Sequence, residues 1–319
     1  MRILFVTATR IGDAVLSTGV LGHLLERHPQ ARVTIAAGPA AAPLFAAVPR
    51  LDRVIVVEKR RFARHWLALY GAVAGRAWDL VVDLRGSALA YLLFARARRV
   101  AGKNGPAEHR VAQLGRLFGL DPPPAPRLWL AARHERAAAA LVPPGGAVLA
   151  IGPAANWRGK QWRGERFAEL ALRLTAPGGL LAGARVAVLA AAHERGQAAP
   201  LLAAVPAERL IDLVGRVDLL TAAAVLSRAA LFIGNDTGLM HIAAAAGAPT
   251  LGLFGPTQAA QYAPWGTRTA VAQTPIPPEA LYGPDFDHRR TGTMMDSLEV
   301  AEVEAAAARL WQQIGGAAA

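Results

Sequence analysis

The sequence of 319 residues contains no cysteine. This absence excludes a disulfide-stapled scaffold, a thiol nucleophile and any zinc or iron–sulfur centre held by thiolates. Lysine is scarce as well: it occurs only at positions 59, 103 and 160, so the 35 basic residues less these three leave 32 arginines. Chemistry in this chain must therefore come from carboxylates, histidines, amides and cations.

Long apolar runs are also missing. A helix that crosses a bilayer needs about 20 consecutive apolar residues, and the longest uncharged stretch, 237–267, is broken by glycines, prolines and His241. The apolar run 3–8 is too short for a signal peptide, because Arg10 and Asp13 follow it closely. We expect this run to be the first buried strand of a cytoplasmic protein.

Charge of one sign dominates, with a formal net charge of +12 and a pI near 11.2. A basic surface attracts anionic partners. The sequence carries no signature of a nucleic-acid-binding module and no regular interleaving of basic and aromatic residues. We therefore expect an anionic small molecule or a membrane-surface substrate as the partner, and no nucleic acid.

Apolar strand-like runs alternate with longer helical patterns, which is typical of α/β architecture with parallel sheets. Two such halves flank a stretch rich in proline and glycine, 122–146. They predict two facing Rossmann-like domains, 1–145 and 146–319, with a ligand in the cleft between them. An irregular segment is expected up to about residue 293, and then a final helix, 299–314, for which packing back on the first domain is one option. The predicted strands are 2–9, 32–37, 53–57, 79–83, 147–152, 185–190, a short one near 210, 230–234 and 250–254.

A first candidate site lies where the first strand meets the first helix, at Gly12 and Asp13. Glycine permits a tight turn or the close approach of a ligand to the backbone. Asp13 is either a cap for the free N–H groups of the helix or a general base that takes a proton from a hydroxyl. No GxGxxG motif follows this strand, which weakens a dinucleotide-dehydrogenase interpretation.

A second candidate site is the segment 234–241, Gly-Asn-Asp-Thr-Gly-Leu-Met-His. It predicts a strand end, a cap at Asp236 and a helix beginning near Thr237. The free N–H groups of the first turn, with the helix dipole, form an anion site, which Gly238 would let a phosphate approach. His241 either donates to a phosphate oxygen or packs in the core.

A third candidate site, 153–162, follows the first strand of the second half and contains Lys160. Because lysine is so rare here, composition does not readily explain this one, and a compact ammonium suits a diphosphate leaving group. Glu194 follows the next strand. It either binds ribose hydroxyls or is an exposed glutamate at a helix start.

In this order, these segments resemble the family 9 glycosyltransferases, the bacterial lipopolysaccharide heptosyltransferases. The resemblance covers essentially the whole chain. It is most specific at 234–244 continuing to 253–257, and a second signature runs from Pro153 through Lys160 to Leu170.

The resemblance implies a GT-B fold, with the acceptor on the first domain and the nucleotide sugar on the second. It implies an inverting, metal-independent transfer of heptose from ADP-heptose to a lipopolysaccharide inner-core acceptor, without a cofactor. It also implies a cytoplasmic enzyme, with peripheral contact at the cytoplasmic face of the inner membrane as a further expectation.

The resemblance also assigns roles. Asp13 would be the general base, while Lys160, Thr237, Gly238 and His241 would hold the diphosphate and stabilise its departing charge. The other donor contacts it implies are Asn156 beside the phosphates, Glu194 at the sugar or nucleoside, and Asp236.

Arginines follow the apolar run 54–57, and the resemblance implies that Arg60, Arg61 and Arg64 bind the acceptor there. It implies the same role for Gly12, at the end of the first strand. A carboxylated or phosphorylated inner core would explain these arginines, although they equally fit a solvated helix start.

The chain departs from the family pattern at Ala154, where glycine is common, and at Arg163, where proline is common. These departures leave the fold and the transferase class intact but leave the donor open. The alternatives are a GT-B transferase or epimerase that uses another nucleotide sugar, or a nucleotide-sugar-binding module without catalysis.

Overall fold

The computed structural model describes residues 1–59, 61–102, 108–282, 286–288 and 290–315. The chain forms two compact units, Met1–Ala131 and Ala132–Ala319. Each is an α/β unit built on one parallel sheet, which confirms the predicted fold class.

The first unit has a five-stranded sheet in the order β3-β2-β1-β4-β5. Its central strand, β1, is fully buried from Ile3 to Val6 and pairs in parallel with both β2 and β4. The strands are β1 (Arg2–Val6), β2 (Arg32–Ala37), β3 (Leu51–Val56), β4 (Trp78–Asp83) and β5 (Ala95–Val100); the helices are α1 (Ile11–Leu16), α2 (Thr18–Arg27), α3 (Arg64–Val73), α4 (Leu89–Leu92) and α5 (Arg110–Leu117).

The second unit has a six-stranded sheet in the order β11-β10-β9-β6-β7-β8. Its inner strands are continuous apolar runs, as expected for a parallel sheet covered on both faces. The strands are β6 (Val148–Gly152), β7 (Arg185–Val188), β8 (Leu210–Asp212), β9 (Leu231–Asn235), β10 (Thr250–Phe254) and β11 (Thr269–Gln273); the helices are α6 (Ala132–Leu141), α7 (Gly164–Thr175), α8 (Arg195–Ala204), α9 (Leu219–Leu226), α10 (Gly238–Ala245), α11 (Ala259–Tyr262), α12 (Pro278–Leu281) and α13 (Val300–Gln313).

The division between the units lies fourteen residues before the expected boundary at 145, because α6 packs against α9 and so joins the second unit. The final helix, α13, packs against α7, β10 and β11. Its buried residues Val300, Val303 and Leu310 belong to the core of the second unit. Packing of this helix back on the first domain stays a prediction.

Two strands that the sequence did not predict complete the sheets. β11 lies in the segment expected to be irregular, and it pairs in register with β10 from Thr269 to Gln273. β5 reads Ala-Arg-Ala-Arg-Arg-Val and pairs with β4. Both are edge strands, which bury less apolar surface and so carry a weaker sequence pattern. Within the described ranges, no helix is long and apolar enough to cross a membrane.

Candidate functional site

Three glycines stand in register toward the carboxyl ends of three neighbouring strands: Gly152 ends β6, Gly234 is next to last in β9 and Gly252 is in the middle of β10. Gly234 pairs with Gly152 on one side and with Gly252 on the other. A β-carbon on Gly234 would lie 2.7 Å from the ring of Phe232, and one on Gly252 would lie 2.5 Å from the sulfur of Met240 in α10. The absence of side chains therefore lets α10 lie close against the strand ends. This edge of an open parallel sheet is where ligands bind.

Lys160 and Asp236 form an ion pair beside this edge. The Nζ of Lys160 lies 2.6 Å from Oδ2 of Asp236, and the Thr257 hydroxyl donates to the same oxygen at 2.8 Å. The lysine side chain is 22% exposed and the carboxylate 7%. The structure thus brings together two residues that the sequence singled out separately, and it adds Thr257, whose role the sequence did not predict.

The helix predicted to begin near Thr237 is present as α10. α10 starts at Gly238, and Thr237 is its N-cap in an extended conformation, without a side-chain cap hydrogen bond. The prediction that Asp236 caps this helix is therefore wrong, because its carboxylate binds Lys160 and Thr257. The first-turn N–H groups have no partner inside the helix and lie at the positive end of its dipole. His241 lies buried within this first turn.

Asn235 connects this edge to both ends of the lysine segment. It is fully buried, its Oδ1 accepts from the Trp162 N–H at 3.1 Å, and its Nδ2 donates to the Pro153 carbonyl at 2.8 Å. The segment between these two contacts carries Lys160. Asn235 therefore holds the lysine segment to the end of β9, a role that the sequence analysis missed because it depends on partners distant in the chain.

A later part of the chain packs across the lysine segment. The Trp157 ring stacks on His288 at 4.4 Å between centroids, and its Nε1 donates to the His288 carbonyl. The Met294 N–H donates to the Gly159 carbonyl at 3.1 Å. Asn156 is exposed. These contacts fix the backbone on either side of Lys160 and leave Asn156 accessible to a ligand.

Arg163, where the chain departs from the family pattern, binds Asp296 through two parallel hydrogen bonds of 2.5 and 2.6 Å. The Arg163 guanidinium holds the pKa of Asp296 below its ordinary value, against the opposing effect of partial burial. This bidentate pair fastens the end of the lysine segment to the segment that covers it.

Glu194 caps its own turn. Its Oε2 accepts from the Ala191 N–H at 2.9 Å. One carboxylate oxygen of Glu194 therefore has the role of a glutamate at a helix start. Beside it, partial burial acts to raise the pKa of Asp212, but hydrogen bonds from Arg195 and from the Val214 N–H lower it below its ordinary value. A role for Glu194 in donor binding stays a prediction.

In the first unit, Gly12 and Asp13 lie in the first turn of α1. The N-cap is Arg10, so Asp13 does not occupy the capping position that the sequence allowed. Both residues are half-buried. A carboxylate is favoured in the first turn of a helix by the positive end of the dipole, and the partial exposure of Asp13 leaves it accessible to a hydroxyl.

The arginines predicted to bind the acceptor divide between described and undescribed positions. Arg61 and Arg64 are exposed at the start of α3, and Arg60 lies outside the described residues. At the end of β4 the sequence analysis missed Asp83, which is fully buried and accepts from the N–H groups of Arg85 and Ser87 at 2.9 and 3.0 Å. Asp83 thereby shapes the loop that follows β4.

The second unit thus gathers, at one sheet edge, a cation, a buried carboxylate, a hydroxyl and the amino end of a helix. A cation and oriented N–H groups can bind a diphosphate and stabilise negative charge on a departing oxygen. No group of three or more histidine or acidic side chains suited to a metal ion occurs in the part of the chain that the structure describes.

Comparison with known proteins bears on this geometry. The family model for glycosyltransferase family 9 (heptosyltransferase) matches residues 83–281. Lipopolysaccharide heptosyltransferase 2 of Salmonella typhimurium is 23% identical over 300 residues, covering 81% of this chain and 83% of the relative. The glycosyltransferase family 9 structure from Veillonella parvula covers 98% of this chain and 97% of its own, with a TM-score of 0.77 and 18% identity. The Escherichia coli structure of ADP-heptose lipopolysaccharide heptosyltransferase II covers 99% and 100%, with a TM-score of 0.74 and 19% identity.

Proposed function

Because the chain belongs to glycosyltransferase family 9 and is therefore a glycosyltransferase, we propose that it transfers heptose from ADP-heptose to an inner-core acceptor of lipopolysaccharide, with inversion at the anomeric carbon. The names of the relatives support this donor and this acceptor class. The observation that carries the proposal is the ion pair of Lys160 and Asp236 beside the start of α10.

On the donor side, Lys160 and the N–H groups of Thr237 and Gly238 hold the diphosphate. As the glycosidic bond to the donor breaks, negative charge moves onto the departing ADP, and these groups stabilise it. The loss of one such donor lowers kcat by about 10²–10³-fold in comparable sites. The ion pair with Asp236 keeps Lys160 in place before the substrate arrives, so that less reorganisation is needed during the reaction. Asn156, Glu194 and His241 complete the proposed donor contacts.

On the acceptor side, the Asp13 carboxylate takes the proton of the acceptor hydroxyl as its oxygen bonds to the anomeric carbon. The acceptor is bound by Arg60, Arg61 and Arg64, because their guanidinium groups match carboxylate and phosphate groups of an inner core. Gly12 lets the acceptor approach the backbone. With the leaving group stabilised by a lysine and by backbone N–H groups, we propose that the reaction requires neither a metal ion nor a cofactor. The acceptor is a membrane-bound precursor, and peripheral contact with the inner membrane surface is part of the proposal.

Product analysis tests the proposal. The purified chain is offered a panel of nucleotide sugars with truncated lipopolysaccharide, with and without a chelator. We expect ADP release and an inverted heptoside only with ADP-heptose, unchanged by the chelator. Transfer from another nucleotide sugar, epimerised donor without transfer, or donor binding without turnover would each contradict the proposal.

Asp13→Asn isolates the base, since it keeps the shape of the side chain and removes its basicity. We expect kcat to fall by about 10²–10⁴-fold while the affinity for the donor stays the same. Full activity of Asp13→Asn would deny Asp13 this role.

A further inference from the structure

The first unit exposes an unusual set of large apolar side chains. Five of them, which we call the apolar patch, are between 66% and 90% exposed: Phe62, Leu67, Tyr91, Leu92 and Phe94. Among the described residues of the second unit, which is the longer of the two, the large apolar side chains that are exposed reach only about 40%. Large exposed apolar surfaces in a soluble unit mark interaction sites.

The helices that carry Leu67, Tyr91 and Leu92 cover one face of the first sheet. Leu69 of α3 and Leu89 of α4 are buried in the same apolar cluster, so both helices cover that face. Leu67 lies on the side of α3 opposite Leu69, because two residues turn a helix by about 200°. The outward side chains of α3 and α4 therefore lie on the outer side of the same layer.

The backbone holds these side chains outward by specific means. Phe62 and Ala63 both have left-handed backbone conformations, with φ of 54° and 56°, which residues with a β-carbon adopt only at a cost. Arg98 donates to the carbonyls of Ala90 and Leu93 at 2.7 and 2.6 Å. These bonds fix the turn of chain that displays Tyr91, Leu92 and Phe94.

The charge around the patch decides between partners. Residues 61–102 contain seven arginines, no lysine and two acidic residues. Of those two, Asp83 is fully buried, and Asp79 accepts from the backbone N–H of Arg2 at 2.7 Å and pairs with Arg96 at 3.8 Å. Asp52, outside this segment, pairs with Arg76 at 2.8 Å, so the arginines still outnumber the carboxylates that pair with them. A symmetric contact with a second copy would bring the same arginines together, whereas an anionic lipid surface neutralises them.

We propose that the apolar patch, flanked by the exposed Arg61 and Arg64, inserts into the interface of an anionic membrane. The inference rests on the proposed function, since a membrane-bound acceptor would be presented to the unit that carries the patch. Apolar side chains beside arginines are the composition of interfacial membrane anchors, whose binding grows with the apolar area inserted and with anionic lipid content.

Sedimentation with vesicles, in the absence of any substrate, tests this. We expect the full-length chain to bind vesicles of phosphatidylglycerol and phosphatidylcholine more tightly than vesicles of pure phosphatidylcholine, and more weakly as salt is raised. In the double variant Leu92→Ser/Phe94→Ser, the vesicle partition coefficient should be about tenfold lower, or lower still, than in the native chain. Leu172→Ser, which removes an exposed leucine from α7, should bind like the native chain.

Three results would overturn the inference: no vesicle binding by the native chain, equal binding by the double variant, or a dimer in light scattering that the double variant dissolves. Phe62→Ser repeats the test from the α3 side, and circular dichroism confirms that each variant is folded. Transfer to a soluble, lipid-free acceptor should be unchanged in the double variant. If the native chain binds vesicles but transfers no heptose, the proposed function is refuted while the membrane-binding role of the apolar patch is not.

Discussion

The Lys160–Asp236 pair makes a prediction that separates its structural role from its chemical one. Replacing Lys160 by methionine leaves the Asp236 carboxylate, which is only 7% exposed, without its cation. Removal of one partner of a buried pair destabilises a protein by about 3–5 kcal/mol. Thr257 still donates to the carboxylate at 2.8 Å, and 22% of the lysine side chain is reached by water, so we expect about 2–3 kcal/mol here.

The reverse change, Asp236→Asn, leaves an ammonium that water can partly hydrate, and we expect about 1–2 kcal/mol of destabilisation. The double variant Lys160→Met/Asp236→Asn removes both charges. It should be more stable than the sum of the single effects predicts, with a coupling energy of about 1–2 kcal/mol. In the same series, every variant that lacks Lys160 should lose about 10²–10³-fold in kcat, because the double variant recovers stability without recovering the cation.

Urea titration, monitored by hydrogen exchange in peptides that cover β9 and α10, measures the stability of the second unit. Steady-state kinetics with ADP-heptose measures the chemical role. A coupling energy near zero would refute the ion pair as a structural element. A double variant that recovers both stability and kcat would refute Lys160 as the group that stabilises the leaving diphosphate.

Three further predictions follow from the same edge of the sheet. Asn235→Ala removes both bonds to the lysine segment and should destabilise the second unit by about 2–5 kcal/mol in urea titration, since it leaves a buried N–H and a buried carbonyl unpaired; an effect below that of an exposed control such as Asn156→Ala would contradict the role. Gly234→Ala places a β-carbon 2.7 Å from the Phe232 ring and should cost about 1–3 kcal/mol by overpacking, which a thermal scan against native protein measures. Asp296 has a folded pKa below its ordinary value of 3.8, so its pairing stabilises the fold fully above that pH and is lost as pH falls through the lowered value. Thermal scans across the acid range should therefore show Arg163→Ala less stable than native above about pH 4 and equal to it in strong acid, and a difference that persists there would contradict this.

The sequence predicted the elements that are buried on both faces. Strands such as Arg32–Ala37 and Thr250–Phe254 are mostly apolar and are buried along nearly their whole length, because a parallel sheet covered by helices exposes neither side of its inner strands. β5 and β11 escaped because an edge strand can carry arginine or threonine without loss of its ladder. The position of the division between the units was not predicted, because α6 belongs to the second unit through its packing on α9 and composition gives no sign of that packing.

The candidate site divides in the same way. Lys160 was a candidate because a compact cation after a strand suits phosphate chemistry, and Asp236 was a candidate because the family resemblance matched it to a donor-binding position. Asn235 was not, since its two partners lie 73 and 82 residues away and only the folded chain places them together. Asp236 was assigned the wrong local role because an acidic residue before a helix usually caps it, whereas here a distant lysine and threonine bind it.

The row of Gly152, Gly234 and Gly252 has a consequence for anyone who wishes to redesign this protein. A β-carbon at these three positions would lie 2.9, 2.7 and 2.5 Å from the nearest side-chain atom, so members of a library that randomises them will lose stability by overpacking and will carry little information about donor choice. Selectivity is better sought at Asn156 and in the turn around Glu194, where the surface tolerates new atoms. The positions that let α10 lie close against the sheet are thus the ones least open to evolution in the laboratory.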